Sequence, residues 1–256
     1  MASGVASAQS VGGFFSGWKG TASLGASITT GNTESSSVNG SLRLLKTHNR
    51  WEHVLTASAF QGDATVLVAQ TDATGAPVTD ANGFPVNEIV EGDTSDRLTI
   101  GYQPKYYFTD AFYGFGLFDL ETDEPANIDS SSRQIIGVGY SFFRNNSGFL
   151  SAEIGVGNQS LELVNGPNAD SAIGYLGANY LNQFNDVVTF NADFRADFGS
   201  ENTFIEVALG AAFKLSTRFS FKVDYFIRTN TDLSDPSNPL DGDTDTVTTF
   251  NLVVDI

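Results

Sequence analysis

In "TFNADFRADF", residues 189–198, Asp193 and Asp197 flank Arg195 at a spacing of two. An extended backbone puts all three on one face. Two carboxylates held together could act as general acid and base. A guanidinium between them predicts charge compensation instead. The stretch "SITTGNTESSS", residues 27–37, offers three other chemistries. It could grip a phosphate, accept a glycan or reverse a strand. No helical pattern follows Gly31, so the phosphate reading lacks its helix N-terminus. Asn32-Thr33-Glu34 carries Glu where a glycosylation acceptor needs Ser or Thr. A tight turn is left, with Gly31 and Asn32 supplying the positive φ it requires. The chain has two histidines, and a Ser–His hydrolase would need one near an orienting partner. His48 falls in a tight turn and His53 on an apolar strand face at the same end, where interfacial packing is expected. "DGDTD" places Asp241, Asp243 and Asp245 like the start of a calcium loop. Thr246 then replaces the required glycine and Leu252 the closing acid, so this metal candidate is incomplete. No catalytic residue, cofactor or enzymatic activity is expected.

The elements that would position these side chains share one period. Phe190, Ala192, Phe194, Ala196 and Phe198 alternate with Thr189, Asn191, Asp193, Arg195 and Asp197, which is the pattern of a strand. "FSFKVDYFIRT" and "TFNLVVDI" repeat it. Turn signals divide the chain into segments at 16–30, 35–46, 51–61, 97–108, 111–120, 133–143, 148–158, 171–183, 187–198, 203–215, 219–229 and 245–256. Connections near 47–50, 109–110, 144–147, 184–186 and 216–218 are tight. Those at 62–96, 121–132, 159–170 and 230–244 are long. No run of about 18 apolar residues forms a transmembrane helix. Strands of about ten residues with an apolar face and a glycine-rich face bearing both charge signs suit a membrane barrel better than a soluble one. The expected fold is all-β: an antiparallel up-and-down transmembrane β-barrel of about twelve strands, with short periplasmic turns and longer extracellular loops. Residues 1–13, "MASGVASAQSVGG", are expected to be the remnant of an export signal, and 14–256 a single barrel domain.

Charge sorts along this map. The formal net charge of −17 excludes nucleic-acid binding. The absence of cysteine excludes disulfides and thiolate metal sites. Lys19, Arg43, Arg97, Lys105, Arg133, Arg195, Lys214, Lys222 and Arg228 fall on the polar face, the expected lumen. Glu52, Glu153, Asp193, Asp197, Glu206, Asp224 and Asp255 balance them there. Lys46, Arg50, Arg144 and Arg218 lie by the tight turns. Acids including Asp63, Asp93, Glu121, Asp123 and Asp129 are assigned to the long loops, giving one acidic rim. Glu206 and Arg228 should face each other across a hairpin, within a lumen partly plugged by ion pairs. The longest loop repeats "TDATGAPV" (71–78) as "TDANGFPV" (79–86), each copy a turn followed by an extended step.

"GWKGTASLGASITTGNTESSSVNGSLRL" followed by "NRWEHVLTASAF" resembles the opening of the YdiY-like proteins, a family described as salt-induced outer-membrane proteins. "AIGYLGANYLNQF", "FGSENTF" and "FIRTNTD" add to the likeness. The long second loop and the final Ile256, in place of a terminal aromatic, depart from it. The resemblance implies an outer-membrane barrel with no assigned activity and no catalytic residue. The function expected is a structural or narrow-pore envelope role, linked by the resemblance to salt stress. An anion-preferring small-solute channel is the alternative, as is an acidic rim that binds divalent cations or a partner. A monomer in the Gram-negative outer membrane is expected, with periplasmic termini. Its partners would be membrane lipid, lipopolysaccharide and the barrel-assembly machinery.

Overall fold

A computed structural model of the chain describes residues 17–29, 34–70, 78–79, 86–166, 168–200, 202–231 and 244–256. The alternation read from sequence becomes twelve strands: β1 (Lys19–Thr29), β2 (Glu34–His48), β3 (Trp51–Ala69), β4 (Asn87–Tyr107), β5 (Phe112–Asp123), β6 (Ile128–Asn145), β7 (Gly148–Leu163), β8 (Ala169–Gln183), β9 (Val188–Gly199), β10 (Thr203–Lys214), β11 (Phe219–Asn230) and β12 (Thr244–Asp255). Each pairs antiparallel with its sequence neighbours, and β1 closes on β12. Closure leaves no sheet edge, so a backbone surrounded by hydrocarbon can satisfy all its hydrogen bonds.

The two faces of each strand meet different surroundings. Leu24 (73 % exposed), Ile136 (69 %), Ile154 (58 %) and Phe250 (53 %) lie on the outer face, where a soluble protein would bury them. On the other face Asp197, Arg133 and Glu153 are buried. Such an inversion is that of a barrel with lipid outside. At the tight-turn end, aromatic residues collect on the outer face. The His53 ring is stacked between Trp51 (5.8 Å) and Tyr102 (6.1 Å), and its Nδ1 lies 2.8 Å from the Tyr102 hydroxyl. His53 therefore packs with its neighbours, as its apolar face suggested.

Local chemistry closes the tight turns. Asn49 adopts a left-handed φ of 54° between β2 and β3. Side-chain oxygens of Thr109, Asn145, Asn185 and Ser216 each accept backbone N–H bonds from the residues two and three positions on. These are the Asx and Ser/Thr turns that the polar tetrapeptides offered.

The other end departs from the sequence reading. β3 and β4 continue to Ala69 and back from Asn87, with a register shift at Gly62/Asp63. β5 and β6 nearly meet, joined by a 3-10 turn at Glu124–Ala126 and by Asn127 at φ 59°. Much of the expected loops 62–96, 121–132 and 159–170 is thus paired strand. Apolar alternation marks only the part of a strand that crosses lipid. Beyond it, both faces meet water while backbone pairing goes on. The expected export segment 1–13, the turn at Gly31 and Asn32, nearly all of the octapeptide pair, and Asp241 and Asp243 lie outside the described residues.

Ile154 pairs with Val138 and Leu176 in the middle of the apolar belt. Ile154→Arg should lower stability by about 2–4 kcal/mol, the cost of a cation on the lipid face near the midplane. Equilibrium denaturant unfolding in lipid vesicles checks this.

Candidate functional site: the barrel interior

The interior is built from the inward positions of all twelve strands, and its two walls differ. On β5, β6 and β8, Tyr113, Phe115, Ile135, Ile173 and Tyr175 form a buried cluster inside the barrel. Strand glycines make room for it. A Cβ at Gly139 would collide with the Tyr113 ring, and one at Gly137 would crowd Phe115. The glycine-rich face of these strands is therefore a packing device.

Ion pairs cross the space beside this cluster. Arg195 on β9 reaches Asp119 on β5 at 2.6 Å and Asp197 at 3.0 Å. Arg133 on β6 lies 3.3 Å from Asp197, 3.4 Å from Glu121 and 3.8 Å from Asp119. Arg228 on β11 donates to Glu121 on β5. Strands β5 and β9 are not neighbours, nor are β5 and β11. These bonds can only run through the interior. The guanidiniums of Arg133, Arg195 and Arg228 all stand over buried Phe204, at 5.1, 5.7 and 4.9 Å from its centroid. A planar cation over an aromatic face gains electrostatic attraction while it stays packed. Arg97 stacks similarly on Phe60 at 5.4 Å. Asp197 Oδ1 and Arg195 Nη2 make no hydrogen bond within the protein.

A second centre lies toward the tight-turn end. Glu153 on β7 is buried and accepts four bonds. Lys105 Nζ (2.8 Å), Gln103 Nε2 (2.9 Å), Tyr113 OH (2.8 Å) and Tyr175 OH (3.1 Å) donate them. Nearer the turns, Arg144 donates to Glu52 and stands over the Tyr107 ring at 5.1 Å. Taking charges out of water costs several kcal/mol per ion, so such groups persist only when paired and hydrogen-bonded. Here Glu153, Asp119, Glu121 and Asp197 each meet two or more donors or cations, and Glu52 meets Arg144.

Measured against the sequence map, the structure gathers Arg133, Arg195, Asp197 and Arg228 into one network and Lys105 with Glu153 into another. Lys222 pairs with Asp224 at 2.7 Å. Glu206 and Arg228 are register partners, but the ion pair of Arg228 goes to Glu121. Arg195 compensates Asp197 and Asp119, whereas Asp193 accepts from Asn191 at 3.2 Å. Lys19, Arg43 and Lys214 are exposed to solvent and make no ion pair among the described residues. Asp245 stands opposite Arg228 in the β11–β12 register. The largest correction concerns Glu121 and Asp123. Assigned to the acidic rim, both are buried interior residues of β5. Asp123 accepts from Ser95 Oγ (2.9 Å) and the Asp96 amide (3.0 Å). Asp119, which the sequence map does not name, belongs to the same network. Its period-two relation to Glu121 and Asp123 was the available signal.

The family model described as "Protein of unknown function, DUF481" matches residues 22–256. Among solved structures, the NanC porin covers 91 % of this chain and 98 % of its own at TM-score 0.51 and 7 % identity. The KdgM porin covers 92 % and 97 % at TM-score 0.42 and 10 % identity. The Pseudomonas putida toluene transporter TodX covers 94 % and 89 % at TM-score 0.40 and 12 % identity. At such identities the likeness is one of fold. No curated protein matches the sequence.

Glu153→Ala should cost about 3–5 kcal/mol, because it leaves the Lys105 ammonium buried without its counter-charge. Glu153→Gln, which keeps two polar atoms, should still lose much of that. Denaturant unfolding of both variants in vesicles gives the comparison.

Proposed function

The chain belongs to the DUF481 family, and on that premise we propose that it is a Gram-negative outer-membrane barrel with a structural, narrow-pore envelope role. The cross-barrel ion network carries this reading. Arg195–Asp119 and Arg228–Glu121 tie non-adjacent walls together and occupy the width a solute would need. A wide aqueous porin has no use for guanidiniums committed to buried carboxylates. The apolar outer belt supports the membrane placement. Tight turns and both chain ends facing the periplasm follow from an even strand number and the usual short-turn side. The salt link rests on the family resemblance alone.

A second reading, an anion-preferring channel, draws on Lys19, Arg43 and Lys214, which are solvent-accessible and make no ion pair among the described residues. The network opposes it, because its arginines are already neutralised.

Planar-bilayer recording separates the two. The native barrel should give no more than small current steps, without anion preference. Arg195→Ala combined with Arg228→Ala removes two cross-barrel side chains and should raise conductance several-fold, about the change expected when a constriction is cleared. Large anion-selective steps from the native protein, unaltered in the double variant, would contradict the proposal.

A further inference from the structure

A groove on the lipid-facing side of the barrel takes no part in the ion network. It holds about 540 Å³ and is lined by Ile136 and Val138 on β6, Ile154 and Val156 on β7, Leu176 on β8 and Phe198 on β9. All six are exposed on the outer face. Gly174 forms the floor, standing in register between Val156 and Phe198. Interior glycines admit a neighbour, as Gly139 admits the Tyr113 ring. At Gly174 a Cβ would meet no atom within 4 Å. Glycine weakens a strand, having more entropy to lose and no side chain to pack. No contact within the protein offsets that loss at Gly174, which points to an occupant from outside.

Shape and polarity narrow what that occupant is. Toward the tight-turn end a smaller groove of about 170 Å³ follows, among Leu150, Ala178, Tyr180 and Ala192. From Gly174 to Tyr180, β8 advances by about 20 Å. At a strand tilt of about 45° this is about 14 Å of depth, close to half of a ~30 Å hydrocarbon core. The acyl chain of one leaflet spans that depth. At the other end, Gln134 and Asn158 are exposed register partners in the row next to Ile136 and Val156. Their amide N–H groups suit the ester carbonyl at the top of a lipid chain. One row farther out, exposed Asp170 stands opposite Ser160. A carboxylate at that level favours a head that carries an ammonium group. A second copy of the chain suits the groove less, because two convex barrel walls meet along a narrow strip while a stable pair buries about 1,200 Å² or more.

We propose that this groove binds one acyl chain of a bilayer lipid with a primary-amine head. The chain lies along β8, its ester at Gln134 and Asn158 and its ammonium at Asp170. The site depends on the membrane placement of the barrel and not on what the interior passes.

Native mass spectrometry tests this on barrel extracted in mild detergent from vesicles of equal phosphatidylethanolamine and phosphatidylglycerol. The native barrel should keep one phosphatidylethanolamine, several-fold in excess over phosphatidylglycerol. Gly174→Leu fills the floor and should lower the retained fraction about tenfold, since each methylene kept out of the groove forfeits its burial. Should that variant fail to fold, as its heat-modifiable gel shift would show, Gly174→Ala should lower retention to a smaller extent. Asp170→Asn should leave the chain bound and abolish the preference between the two heads. Ala59→Leu, at an exposed position on the outer face of β3, should change nothing. A native barrel that keeps no lipid, or that keeps both heads equally, overturns the proposal. So does retention that survives the Gly174 variants, or that falls as far in Ala59→Leu. A dimer in place of bound lipid, lost in Gly174→Leu, overturns it and assigns the groove to a second copy.

Discussion

A strand that crosses hydrocarbon must satisfy its backbone with other strands, because lipid offers neither donors nor acceptors. Everything else in this structure depends on that constraint. It forces the sheet to close, β1 onto β12. It also fixes the two faces of every strand in opposite surroundings, since side chains alternate strictly. The outer face must be apolar, as Leu24, Ile136 and Phe250 are. The inner face then becomes the place where polar and charged residues can be buried.

How the interior uses that freedom distinguishes this barrel. One wall fills itself with Tyr113, Phe115, Ile135, Ile173 and Tyr175, over glycines that give up their side chains to admit the rings. Arginines then span what is left, held by carboxylates at their tips and by Phe204 beneath. Buried ion pairs are poor sources of net stability, because desolvation consumes most of their attraction. Their value here lies in position. A guanidinium with five donors on a long stem can join walls that no backbone bond connects. The opposing wall carries serines, threonines and asparagines together with the exposed cations Lys19 and Arg43.

The period of two made the barrel legible: the antiparallel all-β closure and the approximate place of all twelve strands were readable from it. The family resemblance pointed the same way and is met by the match over residues 22–256. Strand ends near the longer connections were not readable. Past Leu120 the polar run Glu121-Thr122-Asp123 looks like loop, because Thr122 has no lipid to meet. Partner choice was also hidden. Glu206 and Asp245 both stand opposite Arg228 in register, yet long side chains reach across a barrel whose curvature no local pattern records. Asp119 was masked by its face-mates Phe115 and Leu117, which made an inward face look apolar.

The central claim is that ion pairs through the interior join non-adjacent walls. Reversing one of them tests it most directly, by measuring unfolding free energy in vesicles for Glu121→Arg, Arg228→Glu and the two together. If Arg228 and Glu121 meet across the barrel, each single reversal sets like charges together, and the double reversal recovers stability well beyond the sum of the two changes. Additive losses in the double variant would show that the two side chains do not meet, and would remove the network on which this account rests.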